Sequence, residues 1–165
     1  MSVYDVELKR KTLKGYLKSF YVPVDKKLII LLDNENLDPL KCDYFIFGSR
    51  KYFRPLIAYY LVENGRKDWI TFNAYELIEI YLGKCEEYNS IFDLNASYAI
   101  ITYGNEEFEN KRQWDVINQY IAWRQLDKKR TIIYGFNRRV LSEFKEKMPI
   151  DLRQGFKVIN LFDWK

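Results

Sequence analysis

Three cations, Arg50, Lys51 and Arg54, directly follow the small pair Gly48-Ser49. A glycine lets the backbone come close to a ligand, and backbone N–H groups with nearby cations can neutralise a phosphate. The setting suits that chemistry. An apolar run, 44–47, leads into Gly48, and an apolar helical pattern opens behind Pro55. Strand, loop and helix in that order form the layout in which many proteins cradle a phosphate. The plainer alternative is a solvated basic loop. Two more groups of cations invite the same question: Arg138-Arg139, behind the apolar run 130–134, and Lys9, Arg10, Lys11, Lys14 and Lys18 near the N-terminus.

The inventory excludes several other chemistries. The chain has no histidine and two cysteines, Cys42 and Cys85, so neither a zinc site nor a histidine-based triad can be assembled. No metal or cofactor is expected, and the cysteines read as reduced side chains in a cytoplasmic protein. No apolar run approaches the ~20 residues of a membrane span, and the N-terminus has no apolar signal region. Charge is unevenly placed. Residues 1–27 carry seven Lys/Arg against three acids, while the remaining 138 residues balance, so the net charge of +4 lies in the N-terminal segment. That suggests a basic arm that meets something acidic, such as DNA or an acidic protein face.

The elements that must position these groups follow from hydrophobic periodicity. Residues 4–20 read as a helix with Leu8, Leu13, Tyr16, Leu17 and Phe20 on its apolar side. The run 27–32 reads as an edge strand or an approach to the core. Strands are then expected at 43–47, 68–72, 97–101, 130–134 and 156–162. Helices are expected at 55–63 behind Pro55, at 74–82 capped by Asn73, at 111–126 and at 138–147. Alternation of helices with nearly all-apolar strands implies an α/β domain: a three-layer αβα sandwich on a five-stranded, mainly parallel sheet, with an N-terminal helical arm. The expected division is a basic segment, 1–24, and one domain, 25–165. Ligands in such folds sit at the carboxyl ends of the strands, here the loops after Phe47, Ile101 and Tyr134.

The order of segments resembles the AAA+ ATPase domain of bacterial helicase loaders of the DnaC/DnaI type and their IstB-type transposon relatives. FIFGS and its helix resemble the strand and phosphate loop. DWITFNAYELIEIYL resembles the next strand and helix. The segment from Tyr98 to Asn137 resembles the one that carries the metal-binding acid, the long helix and a sensor asparagine, and LRQGFKVINLFDWK resembles the end of the domain. The resemblance covers 28–165 and lies in segment order more than in identities.

Its functional residues are largely missing. The pattern G-x-x-x-x-G-K-[ST] needs a second glycine, a lysine and a hydroxyl. Here Phe53, Arg54 and Pro55 stand in those places, and Gly48 alone matches. The acidic pair after the third strand is replaced by Thr102-Tyr103, with Glu106, Glu107 and Glu109 further on. Asn137 falls late for the sensor position, and Arg153, Arg138 or Arg139 stands where the family has a finger arginine. Gly48, Ser49, Arg50, Lys51 and Arg54 are thus expected to form a vestigial nucleotide loop with no catalytic residue. The resemblance implies a non-enzymatic protein that binds an AAA+ ATPase or replicative helicase as adaptor or inhibitor. Partner or DNA contact is expected from Lys9, Arg10, Lys11, Lys14, Lys18, Arg138, Arg139 and Arg153. The alternative is a nucleic-acid-binding module that uses the N-terminal segment and the loop 50–54.

Overall fold

In a computed structural model of the protein, residues 2–8, 18–24, 42–63, 69–104 and 112–162 are described. Two antiparallel strands come first, β1 (Ser2–Leu8) and β2 (Lys18–Val24), paired from Ser2↔Val24 to Leu8↔Lys18. This corrects the expected helical arm. Apolar and acidic residues alternate through Tyr4-Asp5-Val6-Glu7-Leu8, and Phe20, Val22 and Val24 recur every second residue. That period of two, rich in β-branched and aromatic residues, favours strands over a helical stripe interrupted at Gly15. The run 27–32 lies outside the described residues.

The domain is built on β3 (Asp43–Phe47), α1 (Arg50–Glu63), β4 (Trp69–Asn73), α2 (Ala74–Tyr81), β5 (Tyr98–Tyr103), α3 (Gln113–Leu126), β6 (Arg130–Gly135), α4 (Arg139–Lys147), the single turn α5 (Ile150–Arg153) and β7 (Phe156–Asn160). Each expected strand of the domain is present within two residues. All five pair in parallel, in the order β4-β5-β6-β3-β7. Asn73 closes β4 and caps α2, its Oδ1 accepting the Glu76 N–H at 2.8 Å, as its place before an apolar helical pattern predicts.

Side-chain alternation divides the sheet into two faces. Phe45, Phe47, Ile70, Phe72, Ala99, Ile101, Tyr103 and Ile133 join one buried cluster with Leu77 and Ile78 of α2, Trp114, Ile117, Tyr120 and Ile121 of α3, and Val140 and Phe144 of α4. The alternate residues, among them Tyr44, Ile46, Ile132 and Tyr134, are equally buried. On their side Phe53 of α1 packs against Tyr134, and α1 also meets the β1–β2 hairpin.

The chain's direction explains the layers. After β3 it crosses to the far edge through α1, then returns strand by strand through α2, α3 and α4. Right-handed crossovers running in opposite directions must lie on opposite faces. The direction switches at the neighbouring strands β3 and β6, so the crevice at their carboxyl ends is where this topology places a ligand.

Candidate binding face at the carboxyl ends of the strands

The switch point is filled by protein. Gly48 is buried: its N–H donates to the Gly135 carbonyl at 3.0 Å, and a β-carbon there would lie 2.8 Å from Leu161 Cβ and 3.0 Å from the Tyr134 hydroxyl. Its missing side chain serves close packing of β3, β6 and the residues after β7. Tyr134 donates its hydroxyl to the Ser49 carbonyl at 2.8 Å, fastening the strand-to-helix link to β6. Burial, with Tyr52 nearby, pushes the Tyr134 phenol well above its usual range.

That link is two residues long, because α1 begins at Arg50. The expected loop 50–54 is therefore the first turn and a half of a helix, and Pro55 sits inside it rather than opening it. An interior proline removes one backbone hydrogen bond and disfavours helix at the residue before it. Here tertiary contacts oppose that cost. Phe53 stands edge-on to Tyr134 (5.1 Å between ring centres) and to Phe136 (5.5 Å), and Tyr134 and Phe136 are 5.1 Å apart. Three rings thus occupy the crevice between the ends of β3 and β6.

Around the rings lies positive charge. Arg50, Lys51, Arg54, Arg138 and Arg139 are all exposed. Arg50 lies over the Phe136 ring at 5.6 Å, Arg138 over Phe162 at 5.1 Å and Lys51 over Tyr52 at 4.9 Å. The fold therefore brings two expected groups, Arg50–Lys51–Arg54 and Arg138-Arg139, onto one face. Arg153 is not among them. It ends α5 just before β7 begins, at the opposite, amino end of the sheet, and half-buried there it cannot act with the others. Lys9, Arg10, Lys11 and Lys14 lie outside the described residues, and Lys18 opens β2.

At the end of β5, where the resemblance places metal-binding acids, Tyr103 makes a different arrangement. Its hydroxyl donates to Glu143 Oε2 at 2.7 Å and accepts from Gln113 Nε2 at 2.6 Å; Arg139 Nε lies 3.7 Å from Glu143 Oε1. Burial, then the Glu143 carboxylate, pushes the Tyr103 phenol far up, so it remains a neutral donor. Glu106, Glu107 and Glu109 lie outside the described residues. Among the described residues no cluster of three Cys, Asp or Glu is placed to hold a metal ion.

Asn137 fastens the neighbouring ends. Its Nδ2 donates to the Gly104 carbonyl at 2.7 Å, and its Oδ1 accepts the Val140 N–H at 3.2 Å. Gly104 takes a left-handed φ of +99°, and a β-carbon there would strike Val140 and Asn137. Asn137 thus acts on the backbone at the first turn of α4.

The residues that sequence reading missed hold the other end of the sheet. Arg124 is 0% exposed. Its Nε donates to Thr131 Oγ1 at 2.8 Å, and its terminal nitrogens reach the carbonyls of Ala96 (2.8 Å), Arg130 (2.9 Å) and Ser97 (3.3 Å). Asp43, also buried, accepts the Thr131 N–H at 2.9 Å. Burial raises the Asp43 pKa, against the lowering effects of that hydrogen bond and of Arg130 and Arg124. A signal for Arg124 was present: with Trp114, Ile117 and Ile121 it completes an inward helical stripe.

No protein-family model matches the chain, and no curated protein matches it in sequence. Solved structures share its fold. DnaI is similar with a TM-score of 0.55 at 13% identity, over 84% of this chain and 87% of that one. The DnaC helicase loader is similar with a TM-score of 0.53 at 15% identity, over 91% and 96%. AMPPCP-bound DnaA from Aquifex aeolicus gives 0.52 at 14% identity over 92% of this chain, which spans 50% of that protein. Among the described residues no helix is long and apolar enough to cross a membrane. The parallel five-stranded sheet and its helices are the AAA+-type α/β fold of these structures.

Proposed function

We propose that this chain is an AAA+-fold protein that does not hydrolyse nucleotide and acts in DNA replication by binding a protein partner. The partner would be a helicase loader, an initiator or a replicative helicase, with this chain as adaptor or inhibitor. The observation that carries the reading is Phe53. It stands where a phosphate loop needs its second glycine, on a helix instead of a loop, and its ring fills the switch-point crevice with Tyr134 and Phe136. Two further features support it. Pro55 replaces the hydroxyl that would hold Mg²⁺, and the Tyr103 hydroxyl is committed to Glu143 at the end of β5. The likeness to a helicase loader and to DnaA supports the replication setting at the level of fold.

Two measurements test it. Purified protein with Mg·ATP should release no phosphate above a no-protein control, and nucleotide at millimolar concentration should not raise its melting temperature. Turnover that is abolished by Arg54→Ala would overturn the non-hydrolytic reading. Affinity capture with purified candidate loaders, initiators and helicases should then yield a stoichiometric complex with one of them; no complex with any would remove the adaptor role.

A further inference from the structure

We propose that the outer face formed by α2 and residues 83–93 docks the basic segment 9–18 of a second copy of this chain, so that copies associate head to tail. This face lies away from the crevice between β3 and β6. It needs no loader, initiator or helicase, so it does not depend on the protein-partner reading.

The face is apolar and acidic at once. Three of the six large apolar side chains exposed among the described residues lie on it, Tyr81 (41%), Leu82 (43%) and Phe92 (44%). Residues 73–95 carry five acids, Glu76, Glu79, Glu86, Glu87 and Asp93, against the single base Lys84. Contacts hold the stretch together as one surface. The turn 91–93 meets α2, and Phe92 stands edge-on to Trp123 of α3 at 5.2 Å between ring centres. Asp93 accepts the N–H groups of Asn89 (2.9 Å) and Ser90 (3.1 Å), and Ser90 Oγ accepts the Phe92 N–H at 3.1 Å. Tyr88 packs half-buried against the core, its phenol raised by burial and then by Glu87, Cys85, Asp93 and Glu76 around it. The loop is therefore set before a partner arrives. Its acids are not neutralised in place: the donors to Asp93 are backbone amides, and among the described residues Glu86 and Glu87 pair with no cation.

The chain itself supplies the complement. Residues 9–18 hold five cations, Lys9, Arg10, Lys11, Lys14 and Lys18, and no acid, with Leu13, Tyr16 and Leu17 among them. No other ten-residue stretch of the sequence is as basic. A lysine lays its aliphatic stem on exposed rings while its ammonium meets a carboxylate, which an acidic face carrying Tyr81 and Phe92 rewards twice. The layers place this contact between copies. The β1–β2 hairpin that bears the segment meets α1, and α1 and α2 lie on opposite faces of the sheet. Nine residues that leave one strand of a hairpin and return by the other reach ~15 Å at most, too little to pass around a sheet covered on each side by a helix ~10 Å thick. Each copy has one segment and one face, so the contact is heterologous and leaves both ends open for further copies.

Sedimentation velocity of the full chain, from micromolar to hundreds of micromolar, tests the proposal. The expected result is a mass that rises with concentration at low salt and falls back as salt reaches about 0.5 M, where charges are screened. The face pair Glu86→Lys with Glu87→Lys, at exposed positions, should weaken self-association at least about tenfold with an unchanged melting temperature. The segment triple Lys9→Glu, Arg10→Glu and Lys11→Glu should do the same. Mixed in equal amounts, the two variants should form a one-to-one complex, because the first keeps the basic segment and the second keeps the acidic face. Phe92→Ser should weaken association about fivefold. The proposal is overturned if the wild-type chain stays monomeric at low salt and high concentration, or if the face pair associates as the wild type does. It is also overturned if the mixed variants remain monomers, since complementary charges would then not be what joins the copies. No loader, initiator or helicase enters these measurements, so this proposal and the adaptor reading fail separately.

Discussion

Tyr134 and Ser49, 85 residues apart in the chain, are joined by a 2.8 Å hydrogen bond from phenol to backbone carbonyl. The bond closes β6 over the link between β3 and α1, at the point where this topology would otherwise present an open loop to a ligand. Gly48, one residue before Ser49, lies against the same hydroxyl.

Gly48→Ala should therefore be destabilising, although Gly48 has an ordinary backbone conformation. Its new methyl would meet Leu161 Cβ and the Tyr134 hydroxyl at 3.0 Å or less, and neither can withdraw without moving a strand or breaking the Ser49 bond. Overpacking of this kind costs about 1–3 kcal/mol, to be read from the urea midpoint.

Arg124→Met should cost about 3 kcal/mol or more in denaturant unfolding, since it strands the carbonyls of Ala96 and Arg130 and the Thr131 hydroxyl in the interior. Arg124→Lys should recover little of the loss. One ammonium cannot reach acceptors that a planar guanidinium meets on two sides. Full recovery by lysine would show that charge alone matters there.

Asp43 gives a pH dependence of stability with a definite sign. Its folded pKa lies above the usual 3.8, chiefly through burial. The folded state therefore holds its proton more tightly than the unfolded state, and this group's contribution is fully present below pH 3.8 and lost as pH rises through the folded value. Asp43→Asn should flatten stability against pH in that window, as measured by urea unfolding at several pH values, while its carbonyl oxygen still accepts the Thr131 N–H. An unchanged slope would mean that other groups set the dependence.

At alkaline pH the tyrosines act together. Tyr120 is pushed up to about 12 by burial. Tyr103 and Tyr134 are raised too, first by burial and then by Glu143 and Tyr52 respectively. Their stabilisation is complete below the unfolded value near 10 and is lost as pH rises through the folded values. Absorbance titration should show Tyr103, Tyr120 and Tyr134 ionising only with unfolding. Three early, reversible ionisations without loss of structure would contradict their burial.

Much of the fold was legible because its signals are local. The apolar runs ending at Phe47, Ile101 and Tyr134 are strands whichever neighbours they find, since residues buried on both faces of a parallel sheet must be apolar at nearly every position. Asn73 before an apolar helical pattern specified a cap for the same reason. The N-terminal segment was misread because apolar residues there satisfy both periods, and strand pairing between β1 and β2 decided between them. Pro55 misled because its local cost was weighed without the ring contacts of Phe53.

By itself the sequence determined the absence of histidine chemistry, the alternating α/β pattern and the missing lysine, hydroxyl and second glycine after Gly48. Those are statements about which side chains exist and how they repeat. Tertiary structure alone decided where they meet. It placed Arg138 and Arg139 at the same end of the sheet as Arg50, sent Arg153 to the other end, and set Phe53 against Tyr134 and Phe136. It also buried Arg124 among carbonyls that no local pattern announces. The physical reason is the crossover: strand order β4-β5-β6-β3-β7 brings residues from distant parts of the chain to one sheet end, and that order depends on long-range pairing rather than on any short stretch.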